Sequence, residues 1–195
     1  VAVYVEVTGG PYAGNEVAKV EITPSGGARV YTGTSPHGQG HVTSWSMLAS
    51  DQLGIPMERI EVIHGDTDLV PVGGGTSGSR SLQLGGAAVH QASVEMVALA
   101  RKRAAELLEA NPDDVVLDRV DGLFQVAGTP AISKTWGELA ADEPLVVDTT
   151  FQAAASTFPF GAHIAVVDVD TETGKVTVER LVAVDDAGSI LNPLI

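Results

Sequence analysis

The stretch GGGTSGSRSLQLGGAAVHQASVEMVALARKRAAELLEA, residues 73–110, decides how this chain is read. Its second part carries the clearest helical pattern. Val89, Ala92, Met96, Leu99, Arg103 and Leu107 recur three or four apart and therefore share one face, with Arg103 at its edge. A helix over 81–110 would span roughly 45 Å at about 1.5 Å per residue. Gly85 and Gly86 lie near its start, where each costs about 1 kcal/mol against alanine in a helix interior. Either the helix begins after them, or something packs close to its backbone there. The first part, Gly73 to Ser81, sets glycine N–H groups, several hydroxyls and the charge of Arg80 just before the helix. That is a suitable cradle for a phosphate or for the polar edge of a heterocycle.

Working outward towards the N-terminus, residues 1–7 and 16–22 alternate with period two, and 28–32 follow the turn signal Ser25-Gly26-Gly27. The first third is therefore expected to be a β-meander. A second glycine-rich elbow, Ser35-Pro36-His37-Gly38-Gln39-Gly40-His41, opens a helix over 41–53. Gly54 stands at its C-terminal end with Pro56 just beyond. A helix start presents unpaired N–H donors, which makes this elbow either an anion site or a tight strand-to-helix turn. A strand over 59–64 and a loop over 65–78 complete this half.

Towards the C-terminus, Pro112 ends the long helix. Residues 115–120 and 123–126 flank Asp121-Gly122, a strong hairpin signal. Thr135 and Glu138 form a capping box for a short helix over 136–141. Strands follow over 145–152, 163–169 and 176–184, the last two joined at Thr173-Gly174. The expected class is α+β, a mixed β-sheet packed with one long and one or two shorter helices. The expected division is a first lobe over 1–130, holding both glycine loops and the long helix, and the start of a second, truncated lobe over 131–195.

Composition narrows the chemistry. The 195 residues carry a formal charge of −14, from 25 acidic and 11 basic side chains, which argues against nucleic-acid partners. No apolar run approaches the roughly 20 residues of a membrane span. Cysteine is absent, which removes disulfides, thiol nucleophiles and cysteine-ligated clusters from this segment. There is no initiator Met, and the chain closes on apolar Leu194 and Ile195, so both ends are expected to be cuts through a longer polypeptide. Cut edges would expose unpaired strands and favour self-association.

Few residues offer chemistry of their own. His37 and His41 are four apart, but the glycines between them deny the rigid spacing of a metal pair. Asp113-Asp114 and Asp185-Asp186 are adjacent acids that would point apart or face solvent, and Asp66 and Asp68 are turn formers. Gly73, Gly75 and Gly78 formally spell G-x-G-x-x-G with Glu95 beyond, which leaves open a module binding an ordinary dinucleotide such as NAD or FAD. Against it, Pro71 stands where a parallel strand should end. A cofactor-free structural or subunit-docking domain, with both loops as plain turns, is the third reading.

Several short motifs occur here in one order: Gly38-Gln39-Gly40-His41, Leu53-Gly54-Ile55-Pro56, His64-Gly65-Asp66-Thr67-Asp68, Gly75-Thr76-Ser77-Gly78-Ser79-Arg80-Ser81, Phe158-Pro159-Phe160-Gly161-Ala162-His163, Val182-Ala183-Val184-Asp185-Asp186-Ala187-Gly188, and Asn192-Pro193. From about Tyr31 onward the sequence resembles the molybdopterin-binding large subunits of the xanthine dehydrogenase, aldehyde oxidase and aerobic carbon monoxide dehydrogenase family. The resemblance implies an oxidoreductase fragment forming part of a two-lobed region that holds molybdenum through molybdopterin cytosine dinucleotide. It implies that Gln39, Gly40 and His41 lie against the cofactor. Gly75, Thr76, Gly78, Ser79, Arg80 and Ser81 would hydrogen-bond its pterin or pyrophosphate, with Asn192 approaching it too. It further implies an enzyme whose partners are the remainder of the large subunit, an iron–sulfur subunit and often a flavin subunit; the absence of cysteine fits an expected cytoplasmic setting. Family members carry the catalytic glutamate in a segment beyond this sequence, so this chain is expected to be inactive alone.

Overall fold

The computed structural model describes residues 1–9 and 14–193; Leu194 and Ile195 lie outside the described residues. The fold is α+β, built from three sheets and three α-helices among those residues. The central sheet has the order β4-β3-β2-β8, with β2 at Asn15–Ile22, β3 at Ala28–Thr32, β4 at Ile60–Ile63 and β8 at Leu145–Gln152. β3 and β4 run parallel and the other two pairs antiparallel, so the sheet is mixed. Period two does its expected work in β2. Ala18, Val20 and Ile22 point into the core while Lys19 and Glu21 stay on the outer face.

Helices α1, His41–Leu53, and α2, Ala87–Leu107, pack on this sheet and on each other. α1 has the expected bounds and ends at Gly54, whose N–H closes the last turn on Ser50 O and whose left-handed φ of 64° then turns the chain out of the helix. The helix expected over 81–110 divides instead. Residues Ser81–Gly86 form a π-helical turn, and the regular α-helix starts at Ala87. Both explanations for the glycine pair hold at once. A Cβ on Gly85 would collide with Thr34, and one on Gly86 would press on Leu82 and Trp45. The buried face of α2 also departs from expectation. Val89, Ala92 and Met96 are buried, but burial then follows Ala100, Ala104 and Ala105, while Leu99 and Leu107 turn outward and Arg103 pairs with Glu106 and Glu143. Four-residue steps track slowly around a helix. α2 also packs on β5, Val115–Asp118, and β6, Leu123–Val126, whose Val115 and Phe124 belong to the same core cluster as these alanines.

β5 and β6 form the hairpin expected around Asp121-Gly122, and β7, Thr129–Thr135, adds an edge strand absent from the sequence reading. α3, Trp136–Leu139, starts at the expected capping box: Thr135 accepts from Glu138 N while Glu138 accepts from Thr135 N. Trp136 ties this unit to the core, donating to Leu53 O at 2.9 Å and meeting Phe124 edge-on.

β1, Ala2–Val5, corrects the meander. It pairs with β9, Phe160–Val169, in a separate sheet of order β1-β9-β10, where β10 is Val176–Asp186. That sheet exposes apolar side chains throughout, Val3, Val166, Val178 and Leu181 among them. Along the chain the expected lobes interleave in space, since β8 joins β2 and β9 joins β1. No helix among the described residues is long and apolar enough to cross a membrane.

Candidate functional site

The two glycine loops, far apart in sequence, line one cleft of about 880 Å³. Volumes of this order suit a ligand of cofactor size. One wall is the start of α1, with Gln39, His41, Ser44 and Trp45; the facing wall is the loop Thr76 to Ser79 with Ser81 and Leu82. The segment from Ala187 to Asn192 closes a third side, and Asn192 Nδ2 lies 3.7 Å from Met47 Sδ on α1.

Each wall is held by local chemistry. Gly38 and Gly40 adopt φ of 108° and 76°, and a Cβ on either would meet nothing within 4 Å. Conformation, then, is what demands glycine here. Gly40 caps α1 without any side-chain acceptor, so the first N–H groups of the helix keep no capping partner. His37 N donates to Gln39 Oε1, which folds the amide back over the elbow. In the opposite loop Ser81 donates to Thr76 at 3.1 Å. Ser79 donates to Glu6 at 2.7 Å and holds a φ of 53°, a left-handed conformation that costs a non-glycine residue about 1–2 kcal/mol. Such local strain collects at ligand clamps.

His41 is the informative side chain. It is 4% exposed, its ring lies 5.0 Å from that of Trp45, and its Nδ1 is buried with no hydrogen-bond partner. A buried polar atom left unpaired costs about 1–3 kcal/mol. The cleft lining sets the hydroxyls of Ser44, Thr76, Ser79 and Ser81 and the amide of Gln39 beside Trp45 and Leu82, so the residues present fit a polar heterocyclic group. Burial first, and then the nearby His64 and His37, hold the imidazole below its ordinary pKa. Because the folded value lies below the unfolded one, the unfolded chain binds the extra proton. Its contribution is intact above the unfolded pKa and is lost as pH falls through the folded one. On acidification from about pH 7.5 to about 5.5, His41→Gln is expected to lose less thermal stability than the wild type. Parallel melting curves for the two proteins would refute the assignment.

Arg80, expected to reach a ligand, is turned the other way. Its guanidinium lies 3.3 Å from Glu16 and donates to Asn15 O at 2.7 Å, and it does not line the cleft. Gly75 keeps a φ of 66° with open space around it. The dinucleotide pattern lacks its strand, because residues 64–80 contain none. Asp185 accepts from Tyr4 OH at 2.8 Å and lies 2.9 Å from His163 Nε2, and Gly161 leaves the room for that cluster. His163 first, then Tyr4, hold the Asp185 carboxyl below the usual range. Asp66 closes its own turn onto Asp68 N and Leu69 N. Among the described residues no group of three or more acidic, histidine or cysteine side chains is placed to hold a metal ion.

The sequence reading missed Glu16, Trp45 and the wall at 187–191. For Glu16 a signal was present: it is a charged residue in the same phase as Ala18, Val20 and Ile22.

The chain is similar to several known proteins. The carbon monoxide dehydrogenase large chain of Hydrogenophaga pseudoflava is 38% identical over 187 residues, covering 91% of this chain and 23% of that one. The 6-hydroxypseudooxynicotine dehydrogenase complex subunit gamma of Paenarthrobacter nicotinovorans is 35% identical over 190 residues, covering 92% and 24%. The crystal structure of a Cu,Mo-CO dehydrogenase superposes with a TM-score of 0.84 at 33% identity, covering 99% of this chain and 26% of the other. This chain therefore spans about a quarter of the length of the relatives it matches. The profile of the molybdopterin cofactor-binding domain matches residues 1–195, and the chain belongs to that family.

Proposed function

We propose that this chain is the cofactor-binding part of the large subunit of a molybdenum hydroxylase-type oxidoreductase. The parent protein would oxidise a small molecule such as carbon monoxide, an aldehyde or an N-heterocycle. The observation that carries the reading is that both glycine loops line one cleft, with Gln39 and His41 on one side and Thr76 to Ser79 and Ser81 on the other. Gln39, Gly40 and His41 are the contacts proposed on one side, and Gly75, Thr76, Gly78, Ser79 and Ser81 on the other; Gly40 and Gly75 adjoin lining residues without lining the cleft themselves. Asn192 closes the end. Such a group, in the cytosine dinucleotide form, supplies redox chemistry at molybdenum. The chain's own residues would bind and orient it: the uncapped start of α1 would suit anionic oxygens, and Trp45 backs the His41 ring in the same wall.

Lobes over 1–130 and 131–195 belong to this reading, with β8 strapped back onto the first lobe. The base glutamate, the iron–sulfur and flavin subunits and a cytoplasmic setting are proposed for the whole protein. The apolar β1-β9-β10 sheet suits cover by the remainder of the large subunit. In that subunit, Gln39→Ala with His41→Leu is expected to lower molybdenum and cytidine content by about tenfold, the loss of roughly 1.4 kcal/mol. Unchanged content by metal analysis and nucleotide release would refute the proposal.

A further inference from the structure

Glu16 is a carboxylate in the core. The residue is 2% exposed, and it sits on β2 in the apolar phase of the strand. It accepts from Gly74 N with both oxygens, at 3.2 and 3.0 Å, and from Val17 N at 3.0 Å, while Arg80 Nη1 lies 3.3 Å away. A buried charge is tolerated only when paired and hydrogen-bonded, and removing one partner leaves the other uncompensated. The surrounding backbone is shaped to the pair. A Cβ on Gly74 would occupy the place of the Arg80 guanidinium, and one on Gly33 would strike both Glu16 and Gly73. Gly75 N then donates to Gly33 O at 3.0 Å. The loop is thus pinned along its back from Gly73 to Gly75 and again at Arg80, while Thr76 to Ser79 and Ser81, between and after those pins, face the cleft.

We infer that Glu16 and Arg80 form a clamp that positions the 73–81 loop for its ligand, and that Arg80 acts through this clamp and not by touching the ligand. The inference rests on the proposed cofactor role of the cleft and deepens it. A direct Arg80–phosphate contact and a clamp make opposite demands on Glu16. If Arg80 served the ligand, neutralising its competitor would leave retention unchanged or improve it. If the pair is a clamp, removing either member frees the same loop.

The test uses the full-length subunit with its cofactor, in Glu16→Gln, Arg80→Gln and the double variant. Cofactor release is followed at a temperature where all remain folded, and hydrogen exchange is measured over residues 73–79. We expect each single variant to release cofactor about tenfold faster, within the range of couplings between linked sites. The double variant should be no worse than the weaker single. Leu139→Ala, a core change remote from the cleft, should lose stability without this acceleration. Exchange protection at Gly74 and Gly75 should fall in both single variants. Slower or unchanged release in Glu16→Gln beside faster release in Arg80→Gln would overturn the clamp, as would additive effects. Should the wild-type subunit hold no pterin or molybdenum, the cofactor reading fails. The clamp is then decided by exchange alone, and protection that survives Glu16→Gln rejects it.

Discussion

Trp45→Ala is expected to destabilise the domain by about 3–5 kcal/mol, the usual cost of emptying a buried aromatic site, and to strip the cleft of its ligand. Trp45 is 1% exposed and belongs to the core cluster, yet it also lines the cleft. Its Nε1 donates to buried Thr34 at 3.2 Å, and Thr34 is in turn linked to Thr32 at 2.9 Å. Its ring backs His41 on one side and meets the close approach at Gly86 on the other. Truncation therefore opens a cavity between α1 and the π-helical turn and releases the imidazole at the same time. Trp45→Phe keeps one ring in place but loses the indole donor and part of the buried ring volume, so it should recover part of the lost stability. Urea denaturation of the three proteins measures the ladder. An alanine variant within about 1 kcal/mol of wild type would show that the site can collapse onto the gap, and would reject this account.

Gly73→Ala should be nearly as damaging although it adds a single methyl. The added Cβ would run into Gly33 Cα and O, backbone against backbone, with no side chain able to swing away. The strand end and the loop must part, which breaks the Gly75–Gly33 hydrogen bond and the two contacts of Gly74 N with Glu16. We expect a loss at or above about 3 kcal/mol, the upper range for overpacking, together with loss of ligand retention. Gly128→Ala is the control. Its φ of 80° disfavours alanine, which is not so at Gly73, but nothing lies within 4 Å of the added carbon. The left-handed conformation alone costs about 1–2 kcal/mol, and retention should not change. Gly73 does not share that left-handed conformation, so equal thermal losses in the two variants would show that the loop yields to the added carbon, and would reject close approach as its constraint.

These effects set the boundary of what could be read in advance. Local signals were fully legible. The capping box at Thr135 and Glu138, the end of α1 at Gly54 and the Asp121-Gly122 hairpin depend on neighbours within a few residues, whose physics travels with the sequence. β7 was not legible, because Pro130 and a polar run disguise it. An edge strand needs pairing on one side only and tolerates both. The outward turn of Leu99 was hidden too, since the buried phase of α2 is set by the hairpin it crosses.

By itself the sequence determined the class of the fold, the phase of most strands and the two loops in which glycine is required. Periodicity and φ preference are properties of short segments. Only the tertiary structure decided that both loops meet in one cleft, that β1 leaves the meander for β9, and that Arg80 faces Glu16 across β2. Those outcomes depend on which backbones come within contact of each other, and the pairings join residues as distant as Ala2 and His163. No local pattern encodes such a separation. It is fixed when the apolar faces of the sheets and helices are buried together.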